Sequence, residues 1–171
     1  MSTQTKVDKS TRDSFLSNYD AHADAIFRHI YFRVSDKDLA MDLVSATFTK
    51  VWEYLVKGGE IQNMKAFLYK TASNLVIDEY RKKGAQSLDA LIEEGYEPRA
   101  GSGHEAGILA EVGELKRGLA RLPEQFREVV ALRYVDEFSP QEIAELKGES
   151  PNTISVRINR GVAMLRKEMH I

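Results

Sequence analysis

The 171-residue chain contains no cysteine. That excludes disulfides and thiolate metal sites, and a reducing compartment suits it. No apolar run approaches the roughly 20 residues that span a bilayer. The opening MSTQTKVDKSTRD is polar and lacks the apolar core of a secretory signal. The expectation is therefore a cytoplasmic protein without membrane insertion. A large excess of either charge is also missing: the net charge of −2 argues against a protein that coats nucleic acid indiscriminately. There is no Gly-rich phosphate loop, no His-Glu-x-x-His and no nucleophile with an evident base, so neither an enzyme nor a cofactor is expected. Four histidines are scattered along the chain. His22 and His29 have no acidic or cysteine partner at ligand spacing, so they read as helix-surface or boundary residues, not as metal ligands. No segment alternates as a strand and no internal repeat is visible, which leaves an all-α protein.

What is present is helical periodicity, interrupted once. Residues 12–33 place Phe15, Tyr19, Ala23, Ile26, Phe27, Ile30 and Tyr31 on one stripe after a polar tail expected to be disordered over residues 1–11. Ser35-Asp36-Lys37-Asp38 signals a second helix start, followed by Leu39, Leu43, Thr47, Val51 and Leu55 at steps of four, with Val44, Phe48 and Trp52 widening the stripe. Gly58-Gly59 ends it. Residues 64–82 form a third helix on Met64, Phe67, Leu68, Thr71, Ala72, Leu75, Val76 and Tyr80. Residues 84–107 then turn Gly-rich and lose their period, and residues 84–110 hold five acids against one base. This is expected to be a flexible acidic linker between two small helical domains, 12–83 and 108–171. Ile108, Val112, Leu115, Leu119 and Leu122 open the second domain, and Pro123-Glu124 starts its next helix.

The last part of the chain carries the sharpest motif. Ser139-Pro140-Gln141-Glu142 is a capping box with Pro at the first helical position, and Phe138 is placed to staple onto Ile143. Gly148 supplies a turn residue able to take positive φ. Ser150-Pro151 repeats the start signal. Ile154, Ile158, Val162 and Leu165 then form one face, with Asn152, Val156, Asn159, Arg160 and Ala163 opposite. Arg157, Arg160, Arg166 and Lys167 accompany no acid between Ser150 and Lys167. A short helix, a turn and a basic second helix make a helix-turn-helix pattern. Spacing alone fits a DNA reader and also a helical hairpin with a solvated basic face. In the third helix, Lys65, Tyr69, Lys70, Ser73, Asn74, Asp78, Arg81 and Lys82 are assigned to the outer face. That set suits single-stranded nucleic acid, with cations on phosphates and a ring on a base, and equally an ordinary wet helix face.

Four segments in order resemble the sigma-70 superfamily of bacterial RNA polymerase sigma factors, in its small two-domain extracytoplasmic-function (ECF) group: DLVSATFTKVW at 42–52, NMKAFLYKTASNLVIDEYRKK at 63–83, LPEQFREVVALRYV at 122–135, and 139–167. The resemblance implies a transcription initiation factor that binds core RNA polymerase and promoter DNA. Asp42, Ser45, Ala46, Phe48 and Thr49 would dock on the β′ clamp helices, and the second domain on the β flap. Asn63, Met64, Lys65, Tyr69, Lys70, Asn74, Arg81 and Lys82 would melt and read the −10 element. Asn152, Thr153, Ser155, Val156, Arg157, Asn159 and Arg160 would read the −35 element. An anti-sigma partner is implied by the family alone. The chain departs from the family pattern at Ser45 and Ala46 (usually Gln and an acid), Ser73 (commonly Arg), Ser155 (often basic) and Glu149 (often apolar). The other reading left open is a stand-alone helix-turn-helix regulator whose N-terminal bundle senses a ligand or dimerises.

Overall fold

The structure is a computed structural model that describes residues 7–83 and 113–171. The expected linker at 84–107, and the beginning of the helix expected from Ile108, lie outside the described residues. The chain divides into two compact units, Met1–Lys82 and Lys83–Ile171. All regular structure among the described residues is helical.

The first unit is built from α1 (Lys9–Val34), α2 (Lys37–Val56) and α3 (Met64–Lys82), each packed on the other two. Helix α1 begins at Lys9, inside the stretch expected to be disordered: once the apolar stripe holds the helix, extending it at a polar end adds one hydrogen bond per residue fixed. Ser35 closes α1 at φ 57°, and its N–H reaches the Tyr31 carbonyl at 2.9 Å. A non-glycine residue there costs about 1 kcal/mol. Asp36 then caps α2, its carboxylate accepting from the Leu39 N–H at 3.0 Å. Two residues thus reverse the chain. At the far end of α2, Gly58 turns at φ 88°, and Gly59 lies so close to the Tyr54 ring that a Cβ would stand 2.3 Å from it. Asn63 caps α3 by accepting from the Ala66 N–H at 3.0 Å.

The core of this unit is Ile26 and Ile30 of α1, Leu43, Val44, Thr47, Phe48 and Val51 of α2, and Leu68, Tyr69, Ala72 and Val76 of α3. His29 is fully buried among them, not at the helix surface. Its Nε2 is 3.0 Å from the Ser73 hydroxyl, and its ring meets Tyr69 edge-on at 4.8 Å. Trp52 sits half-buried at the rim, 4.9 Å from Phe15 between ring centres.

In the second unit, helical residues 113–120 precede α4 (Glu124–Tyr134), α5 (Pro140–Lys147) and α6 (Pro151–Met169). Both bonds of the capping box form: the Glu142 N–H to Ser139 Oγ at 3.1 Å, and the Ser139 N–H to the Glu142 carboxylate at 2.8 Å. Phe138 and Ile143 are both buried, as the staple requires. Gly148 turns at φ 66° and Ser150 caps α6. Ile154, Ile158 and Gly161 bury the inner side of α6. Gly161 is a packing residue: a Cβ there would lie 2.6 Å from Val130 Cγ2, so its absence sets how closely α6 approaches α4.

Candidate nucleic-acid interface

Helix α3 shows how far its outer face extends. At about 100° per residue, Lys65 and Tyr69 project to the same side as Ala72 and Val76, while Lys70, Asn74, Ile77 and Arg81 line the opposite side. The structure follows this geometry. Lys70, Asn74, Arg81 and Lys82 are exposed, and Ile77 is half-exposed between them. Tyr69 is only 2% exposed. Its assignment to base stacking is therefore corrected: the ring fills the space between α3 and α1. Ser73 likewise turns inward to His29. Lys65 is half-covered near His22, whose pKa is lowered by burial and by that ammonium group. Asn63 is exposed, but its side-chain oxygen is held by the Ala66 N–H, and Met64 is half-buried. Asp78 stands 3.9 Å from Arg81, with both side chains largely in solvent, so the pair holds Arg81 loosely.

Sequence reasoning missed Tyr54, the aromatic residue that is exposed beside this surface. Its ring lies 5.0 Å from Phe67 and against Gly59, and the Gly59 N–H bonds the Tyr54 carbonyl at 2.9 Å. It anchors the 57–63 connection next to the start of α3. The signal available was the Gly58-Gly59 pair: a glycine that follows a turn often makes room for a neighbouring group.

On α2, Asp42, Ser45 and Thr49 are exposed and Ala46 is half-exposed. Phe48 is buried, 4% exposed, with the Tyr19 ring 4.7 Å away and the Phe15 ring 6.2 Å away. Its place in the docking set is corrected: it supports the helix from beneath. Met41 is 53% exposed on the outer side and supplies the apolar surface that Phe48 does not. Its position opposite Leu43 was a readable signal.

In the second unit, Asn152, Thr153, Val156, Asn159 and Arg160 are exposed along α6, and Ser155 and Arg157 are partly covered. A groove runs beside them, lined by Asn152, Thr153, Val156, Arg157 and Arg160 together with Gln125 and Phe126 from the start of α4. The contribution of α4 was not legible, because it depends on a contact between distant segments. Ser150 Oγ takes the Thr153 N–H at 3.2 Å, and Pro151 has no N–H, so Asn152 holds an amide toward any phosphate at this helix start. Arg157 is engaged within the protein. Its Nη1 and Nη2 donate to the two Glu149 carboxylate oxygens at 2.9 and 2.6 Å. The Arg157 hydrogen bond and charge hold the Glu149 carboxyl below its usual range, and Glu149 raises Arg157 in turn. Arg160 makes no ion pair among the described residues. No group of His, Asp or Glu residues among the described residues is arranged to hold a metal, and no described helix is long and apolar enough to cross a membrane.

Comparison with known proteins bears on the family and the fold. The family model for sigma-70 region 2 matches residues 19–86, and the model for sigma-70 region 4 matches residues 113–165. The ECF RNA polymerase sigma factor SigW of Bacillus subtilis is 26% identical over 179 aligned positions, covering 96% of this chain and 93% of its own. The ECF RNA polymerase sigma factor SigL of Mycobacterium tuberculosis is 26% identical over 149 positions, covering 86% of this chain and 84% of its own. Among solved structures, the sigma factor RpoE of Bartonella quintana, in complex with the anti-sigma factor NepR, superposes with a TM-score of 0.65 at 20% identity, covering 92% of this chain and 98% of that one. At that identity the likeness concerns the fold.

Proposed function

The chain belongs to the sigma-70 family, in its ECF group, and directs promoter-specific transcription initiation; from that premise we propose how its surfaces divide the work. The outer face of α2, with Asp42, Ser45, Ala46, Thr49 and Met41, docks on the β′ clamp helices of core RNA polymerase, and the second unit docks on the β flap. The line Lys70, Asn74, Arg81 and Lys82 holds the phosphates of the melted −10 strand. Tyr54, Asn63 and Met64 border the place where an unstacked base is received. Unstacking a base costs a few kcal/mol, and stacking with phosphate contacts offsets it. The exposed face of α6 enters the −35 major groove, where Arg160 pairs with guanine and Asn159 with adenine. The acidic 84–107 segment joins the two activities within the polymerase.

The observation that carries this reading is the pair of separate polar faces, one on α3 and one on α6, inside the segments that match regions 2 and 4. The exposed cations on each are few, so free affinity for DNA is small and strongly salt-dependent. Polymerase presents both faces together and raises their effective concentration. An anti-sigma partner belongs to the same proposal, since the RpoE relative is solved with one. The region 2 match accounts for the helices that a stand-alone regulator would have used as a sensing bundle, so nothing favours that reading.

The test is to add the purified chain to core polymerase and a genomic promoter library. Complex formation and a restricted set of transcripts are expected. Failure to bind core, or transcripts no different from those of core alone, overturns the assignment of surfaces.

A further inference from the structure

Of the residues that line the groove beside α6, two are cations, Arg157 and Arg160. They are not equivalent. Arg157 gives both terminal nitrogens to Glu149 in a fork-to-fork pair, at 2.9 and 2.6 Å. The two side chains are 20% and 32% exposed, so solvent screens the pair only in part. Lys147, at the end of α5, is itself held by Glu128 of α4 at 2.6 Å. The start of α6 is therefore bordered by acids and bases in alternation, Glu128, Lys147, Glu149 and Arg157, with no net charge. Arg160 stands outside this cluster.

Resting on the assignment of α6 to duplex DNA, we propose that Glu149 is a positioning residue that limits sequence-independent binding: it holds Arg157 away from the phosphates and leaves Arg160, Asn159 and Asn152 to do the reading. The geometry gives the reason. A bidentate pair with a carboxylate uses the same guanidinium edge that would grip a phosphate or the O6 and N7 atoms of guanine. To take up DNA by that edge, Arg157 would have to leave a partly covered carboxylate beside a polyanion. Phosphate contacts strengthen binding to every sequence, whereas base contacts discriminate. Withholding one cation lowers the sequence-independent part of the affinity for promoter and non-promoter DNA alike, so the complex dwells less on DNA that lacks the promoter.

The test uses holoenzyme assembled from the full chain and core polymerase. Binding to a promoter duplex and to a non-promoter duplex is measured as a function of salt for wild type, Glu149→Gln, Arg157→Gln and the double variant. Glu149→Gln releases Arg157, so the plot of log K against log salt should steepen by about 0.9, one phosphate contact, for both duplexes. Its advantage over wild type should shrink by roughly threefold between 50 and 200 mM salt. The affinity for both duplexes should rise together and their ratio should stay at the wild-type value, because the added contact is to phosphate. Arg157→Gln alone should leave the slope at the wild-type value, and the double variant should return to it. A flatter slope for Arg157→Gln alone would mean that Arg157 already contacts phosphate, which overturns the proposal. So would a gain in Glu149→Gln that survives in the double variant, because the carboxylate would then act by its own repulsion. An unchanged slope in Glu149→Gln also overturns it. Wild-type holoenzyme that selects promoters while the variants behave identically removes only the role of Glu149. Wild-type protein that neither binds core nor selects promoters removes the sigma assignment beneath it.

Discussion

Tyr69→Ala separates a packing role from a DNA-contacting role. If the ring stacked on a flipped base, truncation would leave the fold intact and slow promoter opening. The structure gives the opposite expectation. Tyr69 is 2% exposed, lies edge-on to buried His29 at 4.8 Å, and sits among Leu68, Ala72 and Val76. Removing a fully buried aromatic ring costs about 3–5 kcal/mol, through lost burial and the cavity left behind. Single domains hold only about 5–15 kcal/mol in total, and a small helical unit stands toward the lower end. Even 3 kcal/mol lowers the ratio of folded to unfolded unit by about two orders of magnitude. The assay pairs thermal or urea unfolding of the free chain with core binding and open-complex formation. Tyr69→Ala should lower the unfolding midpoint sharply and weaken core binding and opening together. Tyr69→Phe keeps the ring and should retain most of both. A Tyr69→Ala protein with a wild-type midpoint and normal core binding, but with defective opening, would refute the packing argument and return the ring to the DNA.

Four further outcomes follow from the same structure. Gly161→Ala should destabilise the second unit by about 1–3 kcal/mol from overpacking, because the new Cβ meets buried Val130 at 2.6 Å. The gain in helix propensity of about 1 kcal/mol offsets only part of this, and an unfolding midpoint equal to or above wild type would show that α4 and α6 separate freely. Because Arg157 lowers the Glu149 carboxyl in the folded chain, the stabilisation from this pair is fully present above the ordinary carboxylate pKa. It is lost as pH falls through the lowered folded value. Wild type should therefore exceed Glu149→Gln in thermal midpoint at neutral pH, with the gap closing in acid; a gap constant with pH would mean that the pair contributes through something other than charge. Lys70→Ala should reduce opening while leaving recognition of a −35-only duplex unchanged, and Arg160→Ala should relax discrimination at the −35 element by about 1–3 kcal/mol per pairing lost. Equal losses in both assays for both variants would show that the two faces do not divide the work.

The sequence by itself determined each helix whose ends carry chemistry. Ser139, Pro140 and Glu142 specify the start of α5, Gly148 its end, and Ser150-Pro151 the start of α6, because capping is local and each orphan N–H is satisfied within four residues. The order of motifs was equally legible, and with it the family. Faces were legible where the period was followed residue by residue. On α6 the inner stripe Ile154 and Ile158 and the outer set Asn159 and Arg160 fall where the period puts them. Helix α3 is covered by both α1 and α2; its buried arc takes in Ser73 at its edge and Tyr69, which the period already sets beside Ala72 and Val76 and which was misassigned to the outer face. The same covering put Phe48 beneath Phe15 and Tyr19 and left Met41 outside.

Tertiary structure alone decided what the charges do. In the sequence, Arg157 is one of four cations in a stretch, Ser150 to Lys167, that holds no acid. In the folded unit Gly148 brings Glu149 back against it, and α4 brings Glu128 to Lys147. Periodicity reports the direction in which a side chain leaves its own helix. It does not report which other segment stands there, and at a turn between two helices that neighbour decides whether an arginine faces DNA or a carboxylate.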